Sequence, residues 1–286
     1  MSERFAQYQR ISRQPLTSLC FVLPLLLLYE VGIRVMSHPM AHSGGGVWLR
    51  GILAEDLGLP EFVIPFLPIV TLVIWQILEN RTPRTPPGMI RMSLDSSANL
   101  EANSALDSRT NSRVGECDRI SYRQRLQVVP DMLPESVLLA LGLRLLLGVE
   151  TWGVEWLTGN GPAFRPIDPM TLRDGVAVLI SHCGAGLYEE FLFRLVLTGG
   201  LVMILRSYLP ESAAWWISIG LSSILFVAAH HIGVGGEPIL WREPSFQLSV
   251  LFRFSASFIL GIIYWKRGYG IAVGAHLFYN LFIRIV

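Results

Sequence analysis

Lysine is all but missing from this chain: of its 23 basic residues, every one except Lys266 is arginine. The arginines gather at the ends of apolar runs and form no dense patch interleaved with aromatics, so nucleic acid is not an expected partner. Charge of either sign is scarce as well. At 16% charged and 51% hydrophobic, the 286 residues have the composition of a polytopic membrane protein, since a soluble globule of this size would carry more charge. Only three cysteines occur, Cys20, Cys117 and Cys183, with no CxxC pair, which argues against a disulfide framework or a zinc knuckle. There is neither an HExxH stretch nor a GxSxG elbow, so a zincin and a serine hydrolase on a soluble fold are both disfavoured.

What the chain has in abundance is long apolar runs, with a mean hydropathy of +0.46. They predict an all-α, polytopic transmembrane helix bundle of seven spans, or eight if the run over 172–209 breaks. Residues 1–79 read as a two-span N-terminal region, with spans at 16–36 and 62–78. Within the first, Glu30 and Arg34 are spaced to pair on one face. Between the two spans, His38, His42 and Gly44 to Gly46 read as a solvated outer loop. Residues 80–131, rich in Arg, Ser, Asn and Pro, read as a cytoplasmic polar loop, largely disordered, with a short interfacial helix over 122–129. Residues 132–286 read as a second membrane domain, with further spans at 132–157, 213–232, 246–265 and 271–286. Arg4, Arg10 and Arg13 against Glu3 place the N-terminus in the cytoplasm, and the cell (inner) membrane is the expected location.

One stretch, YEEFLFR at 188–194, puts two carboxylates and a guanidinium inside the central apolar run. A charge near the bilayer centre costs at least about 2.5–3.5 kcal/mol, so these groups need partners there. On a helix Glu190 and Arg194 share a face and neutralise each other, whereas Glu189 is rotated by about 100° and is left for chemistry. Downstream, Phe226 and His230 are four apart, as are His276 and Asn280, each pair setting an imidazole inside an apolar segment beside a second group. A carboxylate, two imidazoles and a carboxamide are the parts for attack by water on a carbonyl.

The ordered set EExxxR (Glu189 to Arg194), FxxxH (Phe226 to His230) and HxxxN (His276 to Asn280) resembles the CPBP/Abi family of intramembrane proteases, which includes the type II CAAX prenyl endopeptidases. The resemblance covers about residues 130–286, with Leu195 where family members often have glycine. It implies an intramembrane endopeptidase of the glutamate type. Glu189 and His230 activate water, His276 and Asn280 donate to the oxyanion, and Glu190, Arg194 and Phe226 support them. Its partners would be membrane lipid and a membrane-associated protein or peptide substrate. Glu189, His230 and His276 would also make a zinc set with an open position, yet water held by Glu and His needs no metal, and no cofactor is required. The alternative is a non-catalytic membrane binding protein or a transporter whose buried polar groups hold a substrate or relay protons.

If the central run crosses the membrane once, Glu189 and His230 are expected at different depths, unless the run is tilted, shifted or broken near Gly199 and Gly200. The polar loop lies outside the resemblance. Replacing residues 90–120 by a Gly/Ser linker should leave turnover of a small peptide unchanged in a quenched-fluorescence assay, and a large loss would make the loop part of the substrate path.

Overall fold

The computed structural model of the protein describes residues 3–81, 120–158, 171–232 and 236–285, and among these the regular structure is all helical. Most of the expected polar loop, residues 82–119, lies outside the described residues. Helix α1 (Glu3–Ser12) leads into α2 (Pro15–Met36), α3 (Gly44–Arg50) and α4 (Phe66–Arg81). After the loop come α5 (Tyr122–Thr158), α6 (Leu172–Glu190), a π-wound segment (Phe191–Thr198), α7 (Gly199–Leu205), α8 (Glu211–Ala229), α9 (Pro244–Arg267) and α10 (Tyr269–Ile285).

Local chemistry sets several of these boundaries. Pro15 opens α2, where its missing N–H would have been unpaired in any case. Thr171 and Asp174 form a reciprocal capping box at the start of α6. The helix expected over 122–129 and the span expected from 132 are a single helix, so the polar loop ends ten residues earlier than its composition suggests. Pro130 and Pro134 do not break it, because Met132 and Ser136 between and beyond them are fully buried and packing outweighs the lost donors.

The bundle is apolar outside as well as inside. Leu138, Leu145 and Val149 on α5 and Leu27 and Val35 on α2 are all more than half exposed, a surface suited to lipid and not to water. By length and composition four described helices can cross a membrane, covering Pro15–Met36, Tyr122–Gly153, Glu211–Ala229 and Pro244–Arg267, and two shorter apolar ones cover Phe66–Asn80 and Tyr269–Ile283. The protein is an integral membrane helix bundle.

At its centre is α10, whose residues from Ile271 to Leu277 are all buried. It packs against α2, α5, α6 and α9. It approaches α6 closely at Gly186, where a Cβ would stand 3.0 Å from the Val273 carbonyl oxygen and 3.2 Å from the Leu277 nitrogen. Those neighbours are backbone and cannot swing aside. Gly186→Ala should therefore force the two helices apart and cost about 1–3 kcal/mol. Thermal unfolding of the purified variant in detergent would show it, and an unchanged midpoint would mean that the contact is looser than its geometry.

Candidate active site

The central run does not break at Gly199 and Gly200. Its winding changes earlier, directly after Glu190, where eight residues take π geometry before α7 resumes. A π segment widens the helix and leaves backbone groups out of register, which is why such segments gather at functional sites. Here the Phe193 carbonyl accepts from Thr198 Oγ1 and from Ser222 Oγ of α8, both at 2.7 Å. The π segment is thus fastened to α8, the helix that ends at His230. The expected mismatch in depth disappears for a simple reason. Counted from the turn at 206–210, Glu189 and His230 stand sixteen and nineteen residues up their respective legs, or about 24 and 28 Å at about 1.5 Å per residue.

The deepest charges are Glu190 and Arg194, at 0% and 1% exposure. Arg194 Nε lies 3.0 Å from Glu190 Oε2, the i,i+4 pairing expected from spacing. Arg194 also donates from Nη2 to the Ser257 carbonyl of α9 at 3.2 Å and places its guanidinium 5.1 Å from the centre of the Phe226 ring. The other oxygen of Glu190 takes His276 Nδ1 at 2.7 Å. That ring then turns its Nε2 toward Glu189, 3.9 Å from Oε2. One buried carboxylate therefore orders both the guanidinium and the imidazole.

His230 is held in a parallel way. Its Nδ1 lies 2.8 Å from the Phe226 carbonyl, which only accepts, so Nδ1 carries the proton and Nε2 of the neutral ring is a free lone pair. The rings of Phe226 and His230 lie 4.7 Å apart, and Phe193 meets Phe226 edge-on at 5.0 Å. Phe226 is accordingly a spacer between Arg194 and His230.

Glu189 and His230 line one pocket of about 370 Å³. His276 and Asn280 are not among its lining residues; His276 stands behind Glu189, and Asn280 is one turn further along α10 and only half-buried. The structure thus brings Glu189, Glu190, Arg194, Phe226, His230 and His276 into one connected group and leaves Asn280 at its margin. Among the described residues no three His, Cys, Asp or Glu side chains converge as a metal-binding group, so Glu189, His230 and His276 do not form a ready zinc site in this geometry.

Two walls of the pocket were not foreseen from sequence. Residues 38–46 are partly exposed, as expected, but are no irregular loop: Pro39–Ala41 forms one helical turn, and Ser43 caps α3 by accepting from the Gly46 N–H at 3.1 Å. His42, Gly44, Gly45 and Trp48 line the cavity together with Glu189. Gly45 is so close that a Cβ there would fall 2.6 Å from Glu189 Cγ. The triple glycine was the only signal, and it reads equally well as a turn. On the other side the loop after α8 folds back, with Glu237 N–H bonded to the His230 carbonyl at 2.9 Å. The Arg253 guanidinium, at 2.5 and 2.8 Å, holds the Glu237 carboxyl below its ordinary pKa, so it stands ionised at the rim.

Such an arrangement defines a class: an integral membrane protein with a carboxylate and an imidazole facing one pocket inside the bundle, over a buried Glu–Arg pair. Residues 172–282 match the model of a family described as Rce1-like, type II CAAX prenyl endopeptidase Rce1-like. The match spans all three motifs, bears out the CPBP/Abi resemblance and supports a membrane protease. No curated protein and no solved structure matches the chain.

Glu190→Ala or Arg194→Ala should lower stability by about 3–5 kcal/mol, because each strands a buried charge. Replacing both by apolar residues of similar size should be milder on folding. Yield and thermal midpoint of the three variants decide the matter; single variants as stable as the parent would show that the pair is not structural.

Proposed function

We propose that the protein is an intramembrane endopeptidase that hydrolyses a membrane-associated protein or peptide by water activated between Glu189 and His230. The observation that carries this reading is that a carboxylate and an imidazole with a bare Nε2 line the same pocket, over a buried Glu190–Arg194 pair, in the stretch that matches an endopeptidase family. Two acceptors facing one cavity suit a water molecule, which has two protons to give. Glu189 takes one proton as the oxygen attacks the peptide carbonyl, and the same proton is then delivered to the leaving nitrogen. His230 orients the water through the other proton.

His276 is the donor. Its Nδ1 is committed to Glu190, so its other ring nitrogen, Nε2, faces Glu189, and an N–H there would be given to Glu189 or to a developing oxyanion beside it. Asn280, one turn away on α10, is assigned a secondary donor role. Glu190, Arg194 and Phe226 position these groups. No metal is needed for any of these steps.

The basic residues Arg4, Arg10, Arg13, Lys266 and Arg267 flank the bundle end where α2 begins and α9 finishes, whereas the pocket is lined by residues that follow the ends of α2 and α8, such as His42 and Ile232. With the arginine-rich end in the cytoplasm, the N-terminus is cytoplasmic and the site is reached from the far leaflet of the cell membrane.

Glu189→Gln should abolish cleavage of a candidate membrane protein in detergent or proteoliposomes while insertion and folding persist. Turnover retained by that variant removes Glu189 from the role of base. His276→Ala should lower kcat by about a hundred- to a thousandfold with little change in KM, since its donation strengthens only as the oxyanion forms. Elemental analysis on the same preparations tests the metal-free route, which stoichiometric zinc lost in His276→Ala would overturn.

A further inference from the structure

The N-terminal helices lie outside the stretch that matches the family model, yet they reach Glu189 from two directions through a single carboxylate. Glu30 of α2, 6% exposed, accepts from Tyr188 Oη at 2.5 Å, and Tyr188 is the residue just before Glu189. It also accepts from Arg50 Nη2 at 2.9 and 3.0 Å, and Arg50 is the last residue of α3. The opposite end of α3 is tied to α2 as well, because Ser43, its cap, donates its N–H and its hydroxyl to Tyr29 Oη at 3.3 and 3.2 Å. Tyr29 and Tyr188 meet edge to face at 5.6 Å, with the Arg50 guanidinium 5.9 and 6.0 Å from the two ring centres. Between these two ties, α3 sets Gly45 against Glu189.

Neutralisation alone does not account for this arrangement. The i,i+4 pair with Arg34, present at 2.9 Å, would already balance Glu30. A second guanidinium and a phenol on the same carboxylate add no further balance of charge; they fix the relative placement of three elements. Mobile, α3 would release the side of Glu189 that Gly45 now covers.

We infer that Glu30 is a positioning residue for Glu189: by tying Tyr188 to Arg50 it clamps α3 onto α6 and holds the Glu189 side chain toward the pocket. The inference rests on Glu189 being the working carboxylate, but its first test does not. In full-length protein with Cys20, Cys117 and Cys183 replaced by alanine, Gly45→Cys and Glu189→Cys are combined and oxidised mildly, and the disulfide-linked share is read by mass spectrometry. A disulfide needs Cβ atoms about 3.5–4.5 Å apart, so the pair should link readily, and adding Glu30→Ala should lower the linked share by about fivefold or more. Gly44→Cys in place of Gly45→Cys repeats the measurement with less crowding. Tyr188→Phe strands no charge and should still lower linking, while Glu30→Gln, which keeps an acceptor, should restore most of it. In the protein with native Gly45 and Glu189, Glu30→Ala should then lower kcat on the order of tenfold to a hundredfold with KM within about twofold, as expected of a displaced reacting group. Linking that is the same in Glu30→Ala as with native Glu30, in variants of unchanged helix content, overturns the inference, as does an unchanged kcat. If linking depends on Glu30 but the parent protein cleaves no peptide, the endopeptidase reading fails and the positioning role stands.

Discussion

A guanidinium buried to 1% exposure among apolar helices is the constraint on which the rest of this structure depends. Arg194 cannot lie there uncompensated, and everything that touches it is arranged to that end: Glu190 a turn before it, the Ser257 carbonyl of α9, the face of Phe226 on α8. Because those partners come from three different helices, meeting the electrostatic need of one side chain fixes how α6, α8 and α9 are placed. Glu190 extends the constraint to α10 through His276. Charge compensation and assembly of the pocket are one and the same set of contacts.

The π-wound segment is the mechanical counterpart of that constraint. Starting at the residue after Glu190, it lets the chain keep its direction across the membrane while Phe193 turns its carbonyl to α8. Gly186 does the equivalent work toward α10, where the absence of a side chain lets two backbones come close enough for an imidazole on one to reach two carboxylates on the other. Neither device is chemically reactive, and the site's geometry follows from both.

The N-terminal helices are more than an anchor. They supply one wall of the pocket, and to the apolar face of Phe21, Val22, Leu26 and Ile33 they add polar contacts at Glu30, Tyr29 and Ser43. In lipid, where apolar packing gives little preference for one neighbour over another, such contacts decide which helices pair and in what register. The sequence that matches the family model thus forms only part of the cavity.

Much was legible in the residues alone. Long apolar runs fixed the helical membrane class, because a continuous apolar segment in lipid satisfies its own backbone as a helix, and spacing alone predicted the Glu190–Arg194 and Glu30–Arg34 pairs and the placing of Phe226 beside His230. These are contacts within one helix, which a period of about 3.6 residues determines without reference to anything else. Contacts between helices were a different matter. That His276 would sit behind Glu189 on a second carboxylate, that Asn280 would not line the pocket, that the winding would change at Phe191 and not at Gly199, and that a stretch with three glycines would line the site all depend on how helices far apart in sequence approach one another. Helical periodicity sets which side chains share a face; only packing in three dimensions settles what each face meets.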